Sequence, residues 1–263
     1  MLAQLIALYS EKNSKPRKLI KRVSLVGVWY LLGFSPVVTA ETLYLTSLHW
    51  PPYSGSQLKE QGVYIAVARA ALDAVGHTLV VDFYPWSRAV RMASRKDGKY
   101  MGYLPEYSHP TEKFIFSEAM GRSGLGLVEQ KAHPISWTQQ SDLNQYTIGV
   151  VQDYINTAEF DAMLAQGSQP AEVVASDLHN VNKVGSGRID AAIIDEHVLA
   201  YTLAQPNMQH LKGKLQLNKK LLTYKELFVA FKNNEQGRKW RERFNQGLAK
   251  IDAQQIVIDS MAK

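Results

Sequence analysis

The chain has 263 residues, of which 46% are hydrophobic, 10% aromatic and 21% charged. These proportions are ordinary for globular proteins, so they exclude wholesale disorder, a collagen or coiled-coil rod and a polytopic membrane protein. Cysteine is absent from the sequence, which excludes disulfide frameworks, thiolate metal sites and cysteine nucleophiles. The formal net charge is +6, and it is concentrated at the amino end.

The first 40 residues have the pattern of a secretory signal. Six basic residues lie between Lys12 and Arg22, and a charge-free run follows from Val23 to Ala40. Val38 and Ala40 are the small residues that a signal peptidase accepts, so we predict a signal peptide at 1–40 with cleavage after Ala40. An uncleaved membrane anchor is the alternative, but the apolar centre of about a dozen residues is short of the roughly 20 that span a bilayer.

Without this leader the chain carries 24 basic and 23 acidic residues. A net charge near +1 lacks the basic footprint of a nucleic-acid-binding protein, so no nucleic-acid partner is expected. Export of a cysteine-free protein fits a bacterial periplasm, and we expect a periplasmic monomer.

The first part of the mature chain alternates predicted strands and helices. Thr42–Leu48 alternates like a strand, and Pro51 and Pro52 end it. Val63–Val75 has apolar residues at helical spacing and ends at Gly76. The next elements are a strand at Thr78–Tyr84, a helix from Trp86 to about Lys96, a strand at Tyr100–Leu104 and a polar loop around Pro105–Thr111. This βαβαβ order predicts a largely parallel sheet.

The pattern restarts after an extended segment at Ser123–Lys131. The predicted strands are Tyr146–Val151, Glu172–Ala175, Ile189–Ile194 and Glu226–Phe231. Helices are predicted at Tyr154–Ala165, Glu196–Leu203, about Glu235–Ile251 and Gln254–Met261. A further helix is predicted after residue 175, with Ser176 or Asp177 as its cap. Two α/β lobes without a flexible tether are the natural interpretation.

Five sequence pieces occur in the order seen in one family. They are Trp50-Pro51-Pro52-Tyr53, Pro85-Trp86-Ser87-Arg88-Ala89, Glu112–Ser117, Gly187–Asp195 and the tail Leu227–Lys232 with Phe244–Leu248. Over residues 42–263 the chain resembles bacterial extracellular solute-binding proteins of family 3, the periplasmic receptors of ABC-type importers of polar solutes.

The resemblance implies a type II periplasmic-binding fold. It is a two-lobed α/β fold with a mostly parallel sheet flanked by helices in each lobe. Lobe 1 would comprise 41–127 and 226–263, and lobe 2 would comprise 128–225. Two crossing strands, near Gly121–Lys131 and Thr223–Lys232, would let the lobes close on a ligand held at the carboxyl ends of the strands.

Aromatic residues are the first candidates for the cleft. In the family, aromatic walls follow the first strand, where this chain has Trp50 and Tyr53; packing of these side chains in the core is the alternative. Trp86 and Arg88 open a helix after Pro85. Arg88 would reach an anionic ligand or form a surface ion pair, and Trp86 would face the ligand or anchor packing.

Polar candidates follow other strands. Family members that bind amino acids place an Asp at the position of Asp195 to receive the α-ammonium group, whereas helix capping is the alternative role. Tyr103, Glu106 and Tyr107 fall where family members present polar groups, with an exposed loop as the alternative. Tyr154, with Gln152 and Asp153, is predicted at a helix amino end that would suit an anionic group.

One departure from the family concerns the carboxylate clamp. Amino-acid binders carry an Arg shortly before the Glu-Lys…Phe-Ser segment, whereas this chain reads His109-Pro110-Thr111-Glu112-Lys113. Lys113 or Arg122 would substitute only as a charge, because the bidentate geometry of an arginine placed at this position is lost. A standard α-amino acid is therefore a doubtful ligand, and a cationic or neutral polar solute fits at least as well.

Catalytic motifs are weak throughout. The sequence has no Gly-x-Ser-x-Gly elbow, and its seven histidines show no metal-binding spacing. We therefore predict a non-enzymatic binding protein without cofactor or metal, partnered by a membrane permease or, alternatively, a membrane receptor. A dehydratase-like enzyme using Glu106 and Asp195 and an orphan scaffold with a filled cleft are the other hypotheses.

Overall fold

The computed structural model describes residues 39–262. The predicted signal peptide therefore lies outside the described residues, apart from its last two positions. The strands are β1 (Thr42–Ser47), β2 (Thr78–Phe83), β3 (Gly102–Tyr107), β4 (Phe114–Phe116), β5 (Gly121–Gln130), β6 (Ile148–Val151), β7 (Ala171–Val174), β8 (Ala191–Asp195), β9 (Leu215–Leu217) and β10 (Thr223–Lys232).

The helices alternate with these strands. They are α1 (Val63–Asp73), α2 (Trp86–Ser94), α3 (Ala158–Ala165), α4 (Asp177–Gly185), α5 (Glu196–Ala204), α6 (Glu235–Leu248) and α7 (Ala253–Met261). Within residues 39–262, none of them combines the length and the apolar character that crossing a bilayer requires.

The sheet has two parallel parts joined by antiparallel strands. The strand order is β2-β1-β3-β10-β5-β8-β6-β7. Strands β2, β1 and β3 are parallel and form the first half, and β8, β6 and β7 are parallel and form the second half. The strands β5 and β10 pair with each other in antiparallel register between the two halves, with Thr223 opposite Leu125 and Leu227 opposite Gly121.

Apolar patterning explains the packing of these elements. Helix α1 buries its apolar side, including Ile65, Ala68 and Leu72, against the sheet and α6. Gly247 of α6 approaches so closely that a Cβ there would lie 1.8 Å from the carbonyl oxygen of Ala71. Strand β8 is buried along its whole length, as expected for a central strand covered on both faces.

Two local predictions were wrong. The predicted helix at Tyr154–Ala165 begins only at Ala158, because Asp153 has a φ of +62° and Thr157 caps the helix by accepting the N–H of Phe160. The predicted polar loop at Pro105–Thr111 begins too early, since β3 continues to Tyr107 and is buried throughout. Its antiparallel pairing with β10 places Leu227 opposite Tyr107 and Phe228 opposite Glu106.

Candidate ligand-binding site

The carboxyl ends of the parallel strands of both halves meet in one region. Trp50 and Tyr53 follow β1, Trp86 follows β2, and Glu106 ends β3. In the second half, Tyr154 follows β6, Asp177 follows β7 and Asp195 ends β8. Binding at the carboxyl ends of strands is general for open α/β sheets, so this convergence marks the candidate site.

Aromatic rings form the centre of the site. The ring of Trp50 meets the rings of Tyr53, Tyr107 and Tyr154 edge to face, with centroid distances of 4.9, 5.9 and 6.2 Å. The ring of Trp86 lies 6.2 Å from that of Tyr154 in the same manner. Edge-to-face pairs at this spacing add to the free energy gained by burial. The cluster therefore brings the two halves together across the cleft.

Asp195 is bonded on both sides of the cleft. Its Oδ1 accepts the backbone N–H groups of His197 and Val198, so it caps α5. The same oxygen accepts the hydroxyl of Tyr53 at 2.7 Å, and Oδ2 lies 3.3 Å from the hydroxyl of Tyr107. Burial raises the pKa of Asp195, against the opposing effect of these donors. Asp195 therefore caps α5, and its carboxylate also contacts the hydroxyl groups of two tyrosines from the first half.

Asp177 is a second buried carboxylate beneath the aromatic cluster. It occupies the first turn of α4 and is 8% exposed. Burial and the charge of Asp195 raise its pKa to about 7, while Trp50 Nε1 and the Tyr154 hydroxyl, which face it, lower the pKa. Nε1 of Trp50 is buried and has no partner of normal hydrogen-bond geometry among the described residues.

Glu106 is the third carboxylate, and it lies on the first half. It is 6% exposed and accepts the N–H of Tyr107 at 2.7 Å. Burial raises its pKa to about 8, although Tyr103 and the charge of Lys225 act in the opposite direction. The Lys225 ammonium lies 5.3 Å from the centre of the Tyr107 ring. Burial also lowers the pKa of Lys225.

Helix α2 bonds directly to the second half. The indole Nε1 of Trp86 donates to the carbonyl oxygen of Asp153 at 3.0 Å. The hydroxyl of Ser87 donates to the carboxylate of the same residue. Both contacts are exposed to solvent, so they link the halves at the mouth of the cleft.

Two cavities border the aromatic cluster. The larger has a volume of about 640 Å³ and is lined from both halves, by residues 48–51 and 83–86 on one side and by Tyr154, 175–178 and parts of 198–208 on the other. The smaller, about 20 Å³, lies against Glu106, Tyr107, Tyr154 and Ile155. Leu48, Trp50, Trp86 and Tyr154 contribute to both cavities.

Several sequence candidates lie elsewhere. Arg88 is exposed and stacks on Tyr84, with 5.0 Å between the guanidinium carbon and the ring centre. Arg122 is exposed, stacks on Tyr224 and lines a different cavity beside α3. Tyr103 lines neither cavity but is buried beside the site, where its ring meets that of Trp86 edge to face at 5.4 Å and it lowers the pKa of Glu106. Tyr154 does not open a helix, so its predicted place at a helix amino end was wrong.

Sequence reasoning missed Asp177 as a site residue, whereas Tyr107 was named with Tyr103 and Glu106 as a polar candidate. Asp177 stood out only as one of two alternative helix caps, and its burial beneath Trp50 depends on how the halves meet. Tyr107 lay in a segment predicted to be a loop. The available signal for Asp177 was a carboxylate shortly after a predicted strand, because such residues gather at one edge of a parallel sheet.

The fold is shared with several solved structures. The ligand-binding core of GluR0 from Nostoc punctiforme in complex with L-glutamate is 19% identical with a TM-score of 0.65, over 83% of this chain and 96% of that chain. A histidine kinase sensor domain with similarity to periplasmic binding proteins is 16% identical with a TM-score of 0.70, over 84% and 94%. An ancestral arginine-binding protein bound to arginine is 16% identical with a TM-score of 0.67, over 83% and 96%.

These similarities establish the fold. The predicted two-lobed fold of periplasmic binding proteins, with mostly parallel sheets and two crossing strands, is confirmed. No protein-family model and no curated protein matches the chain. The lobe boundaries at 127 and 225 and the site residues stay predictions.

Proposed function

We propose that the protein is a periplasmic solute-binding protein that captures a small polar solute between its two halves for ABC-type import. The observation that carries this proposal is the cleft of about 640 Å³, which is lined by strand ends of both halves. Small-molecule sites are typically concave, largely apolar and supplied with a few placed polar groups. The proposed binding residues are Trp50, Trp86, Tyr154, Glu106, Tyr107 and Asp177, with Tyr53 and Asp195 supporting them.

Closure on the ligand follows from the way the halves are connected. The main-chain links between them run through the paired strands β5 and β10, and a ligand in the cleft contacts side chains of both halves. A ligand shifts a conformational equilibrium by its differential affinity for the two states. A solute that contacts both halves therefore favours the closed state.

We assign no chemical step to the site. The carboxylate of Asp195 is held by two backbone N–H groups and by Tyr53, and these bonds fix it in a capping position. The dehydratase-like hypothesis requires Asp195 and Glu106 to act as an acid–base pair on a substrate. Turnover that is abolished by Asp195→Asn or Glu106→Gln would establish such an enzyme instead.

A sensory role is the second candidate. A histidine kinase sensor domain superimposes with a TM-score of 0.70, and binding followed by closure serves a membrane receptor as well as a permease. Co-purification of the ligand-loaded protein with a permease or with a receptor kinase from its own membrane would distinguish the two roles.

The proposal is tested by ligand screening of the purified protein. Thermal shift is measured against amino acids, amines, oligopeptides and sugars, and positive compounds are followed by small-angle scattering. A solute at 100 times its Kd raises the free energy of unfolding by about 2.7 kcal/mol, and the radius of gyration decreases on closure. A panel without a thermal shift or compaction would overturn the proposed function.

A further inference from the structure

The lining of the cleft has a distinct chemical character. Among residues 39–262, no Lys or Arg lines either of the two cavities beside the aromatic cluster. The larger cavity presents six aromatic side chains, Trp50, Phe83, Tyr84, Trp86, Tyr154 and Tyr201, of which Tyr84 already stacks with the exposed Arg88. Aromatic faces carry partial negative charge, and they attract ammonium and guanidinium groups.

Buried carboxylates surround the same rings. Asp177 lines the larger cavity and Glu106 lines the smaller one, while Asp195 lies behind Tyr53 and Tyr107. Both cavity-lining carboxylates are less than a tenth exposed. The charge of Lys225 interacts favourably with Glu106 and Asp161. Lys225 lines neither of the two cavities and borders a third one beside α3. A buried carboxylate is costly without a counter-charge, and a cation in the larger cavity supplies one for Asp177.

The helix amino ends at the site do not favour an anion. Asp195 caps α5, and Asp177 lies in the first turn of α4. The partial positive charge of each helix end is therefore matched by a carboxylate of this chain. The segment His109–Lys113, which follows β3, has no arginine, and its lysine, Lys113, is exposed.

We propose that the ligand is a small organic cation without a carboxylate, whose ammonium or guanidinium group lies in the larger cavity against the rings of Trp50, Trp86 and Tyr154, with Asp177 as its counter-ion. This inference rests on the proposed solute-binding function and specifies its ligand class. An α-amino acid brings a carboxylate that finds no Lys or Arg among the residues lining the two cavities and is repelled by ionised Asp177. A decarboxylated amine of the same side chain lacks this penalty.

Matched ligand pairs test the inference. Agmatine is compared with L-arginine, and cadaverine with L-lysine, by titration calorimetry of the purified full chain at pH 8. Neutral amino acids and sugars complete the panel. We expect each amine to bind at least tenfold more tightly than its parent amino acid. Asp177→Asn is expected to weaken amine binding at least tenfold, whereas Asp73→Asn, which removes an exposed carboxylate of α1, leaves it unchanged.

The outcomes separate the inference from the function beneath it. Binding of L-arginine, L-lysine or a neutral solute with equal or greater affinity than the amines would overturn the cation inference and leave the solute-binding function standing. Amine binding that is equal in the Asp177→Asn and Asp73→Asn variants would overturn the role of Asp177. An absence of heat with every compound, together with an unchanged melting temperature, would overturn both proposals.

Discussion

The hydroxyl of Tyr53 donates to Oδ1 of Asp195 at 2.7 Å, and this bond joins the loop after β1 to the carboxyl end of β8. Neither group is accessible to solvent, since Tyr53 is 0% and Asp195 is 2% exposed. Ser123 of β5 lies 2.6 Å from the same hydroxyl. The bond therefore connects the two halves of the sheet next to one of the strands that cross between them.

The first prediction concerns the loss of this bond. Tyr53→Phe removes the hydroxyl and leaves the buried carboxylate of Asp195 with one donor fewer. Hydrogen bonds to charged groups contribute about 1.5–3 kcal/mol, so the free energy of unfolding should fall by about that amount in urea denaturation. Tyr224→Phe is the matched control, because Tyr224 is 61% exposed, and it should change the value by less than about 0.5 kcal/mol. Equal stability of the two variants would contradict the structural role of the bond.

The sequence predicted the elements whose patterns are local. β8 is a short apolar run before a polar residue, and its strand and the cap of α5 by Asp195 could both be predicted. The end of β3 could not be predicted, because Pro105 suggests a loop. The strand continues there because β10 supplies partners for Glu106 and Tyr107, and those partners lie more than a hundred residues away.

The candidate site was predictable only in part. The aromatic residues after β1 and β2 could be selected from the sequence because they lie next to prolines in the pieces that resemble the family, which implies aromatic cleft walls after the first strand. The burial of Asp177 depends on Trp50 and Tyr154, which come from different halves of the fold. Helix patterning gives Asp177 a cap-like position and carries no information about such a contact. Arg88 and Arg122 were selected for their charge, and their stacking on Tyr84 and Tyr224 is a tertiary outcome.

The second prediction concerns the contact at the mouth of the cleft. Ser87→Ala removes the hydroxyl that donates to the carboxylate of Asp153. Because the contact is exposed, the stability to urea should change by less than about 0.5 kcal/mol. The equilibrium between open and closed states should shift towards the open state, with a larger radius of gyration in scattering and a Kd for the solute that increases about two- to fivefold. Ser94→Ala on the same helix is the control, since its hydroxyl bonds only within α2, to the carbonyl of Arg91. Identical scattering curves for both variants would contradict the prediction.

The third prediction concerns the packing of α1 against α6. Gly247→Ala would place a Cβ 1.8 Å from the carbonyl oxygen of Ala71, and backbone on both sides prevents an easy adjustment. Overpacking of this kind typically costs about 1–3 kcal/mol, so the midpoint of urea denaturation should fall accordingly. In Gly98→Ala the added Cβ has neighbours at 3.4 Å or more, so its midpoint should stay within experimental error. A Gly247→Ala protein as stable as the Gly98→Ala protein would show that α1 and α6 do not approach each other this closely at Gly247.

The fourth prediction concerns stability and pH. The pKa of Asp177 is raised from 3.8 to about 7 by burial, so between about pH 4 and pH 7 the folded state binds a proton that the unfolded state has released. The free energy of unfolding therefore decreases as the pH rises through this range, by on the order of 4 kcal/mol at most for Asp177 alone. Glu106, with a pKa raised to about 8, contributes in the same direction.

Asp177→Asn tests this dependence, since it removes the Asp177 contribution. Urea denaturation at pH 5, 6, 7 and 8 should show that the variant gains stability relative to the wild type as the pH rises. Asp73→Asn provides the comparison, because this carboxylate is exposed, and its difference from the wild type should stay constant with pH. If the curves of Asp177→Asn and the wild type run parallel over this range, burial does not perturb Asp177 in the way described.

The last prediction concerns the pH dependence of amine binding. Asp177 must be ionised to serve as a counter-ion, so the affinity for agmatine should rise with pH, by up to about tenfold per unit below its pKa of about 7, and level off above it. The groups that face Asp177 include Asp195 from β8, Tyr154 from the 152–157 loop, Trp50 from the loop after β1 and Tyr107 from β3. Tyr154 has its pKa raised by burial and stays neutral. Ionised Asp195 opposes the ionisation of Asp177 in the free protein, and the bound cation reduces that repulsion.

Calorimetry from pH 5.5 to 8.5 measures how the affinity for agmatine changes with pH, and Asp177→Asn should remove this change. His49 also lines the cleft, so His49→Gln is the control that should retain the change. A profile that flattens in His49→Gln and persists in Asp177→Asn would assign the proton to the histidine and refute the carboxylate as counter-ion.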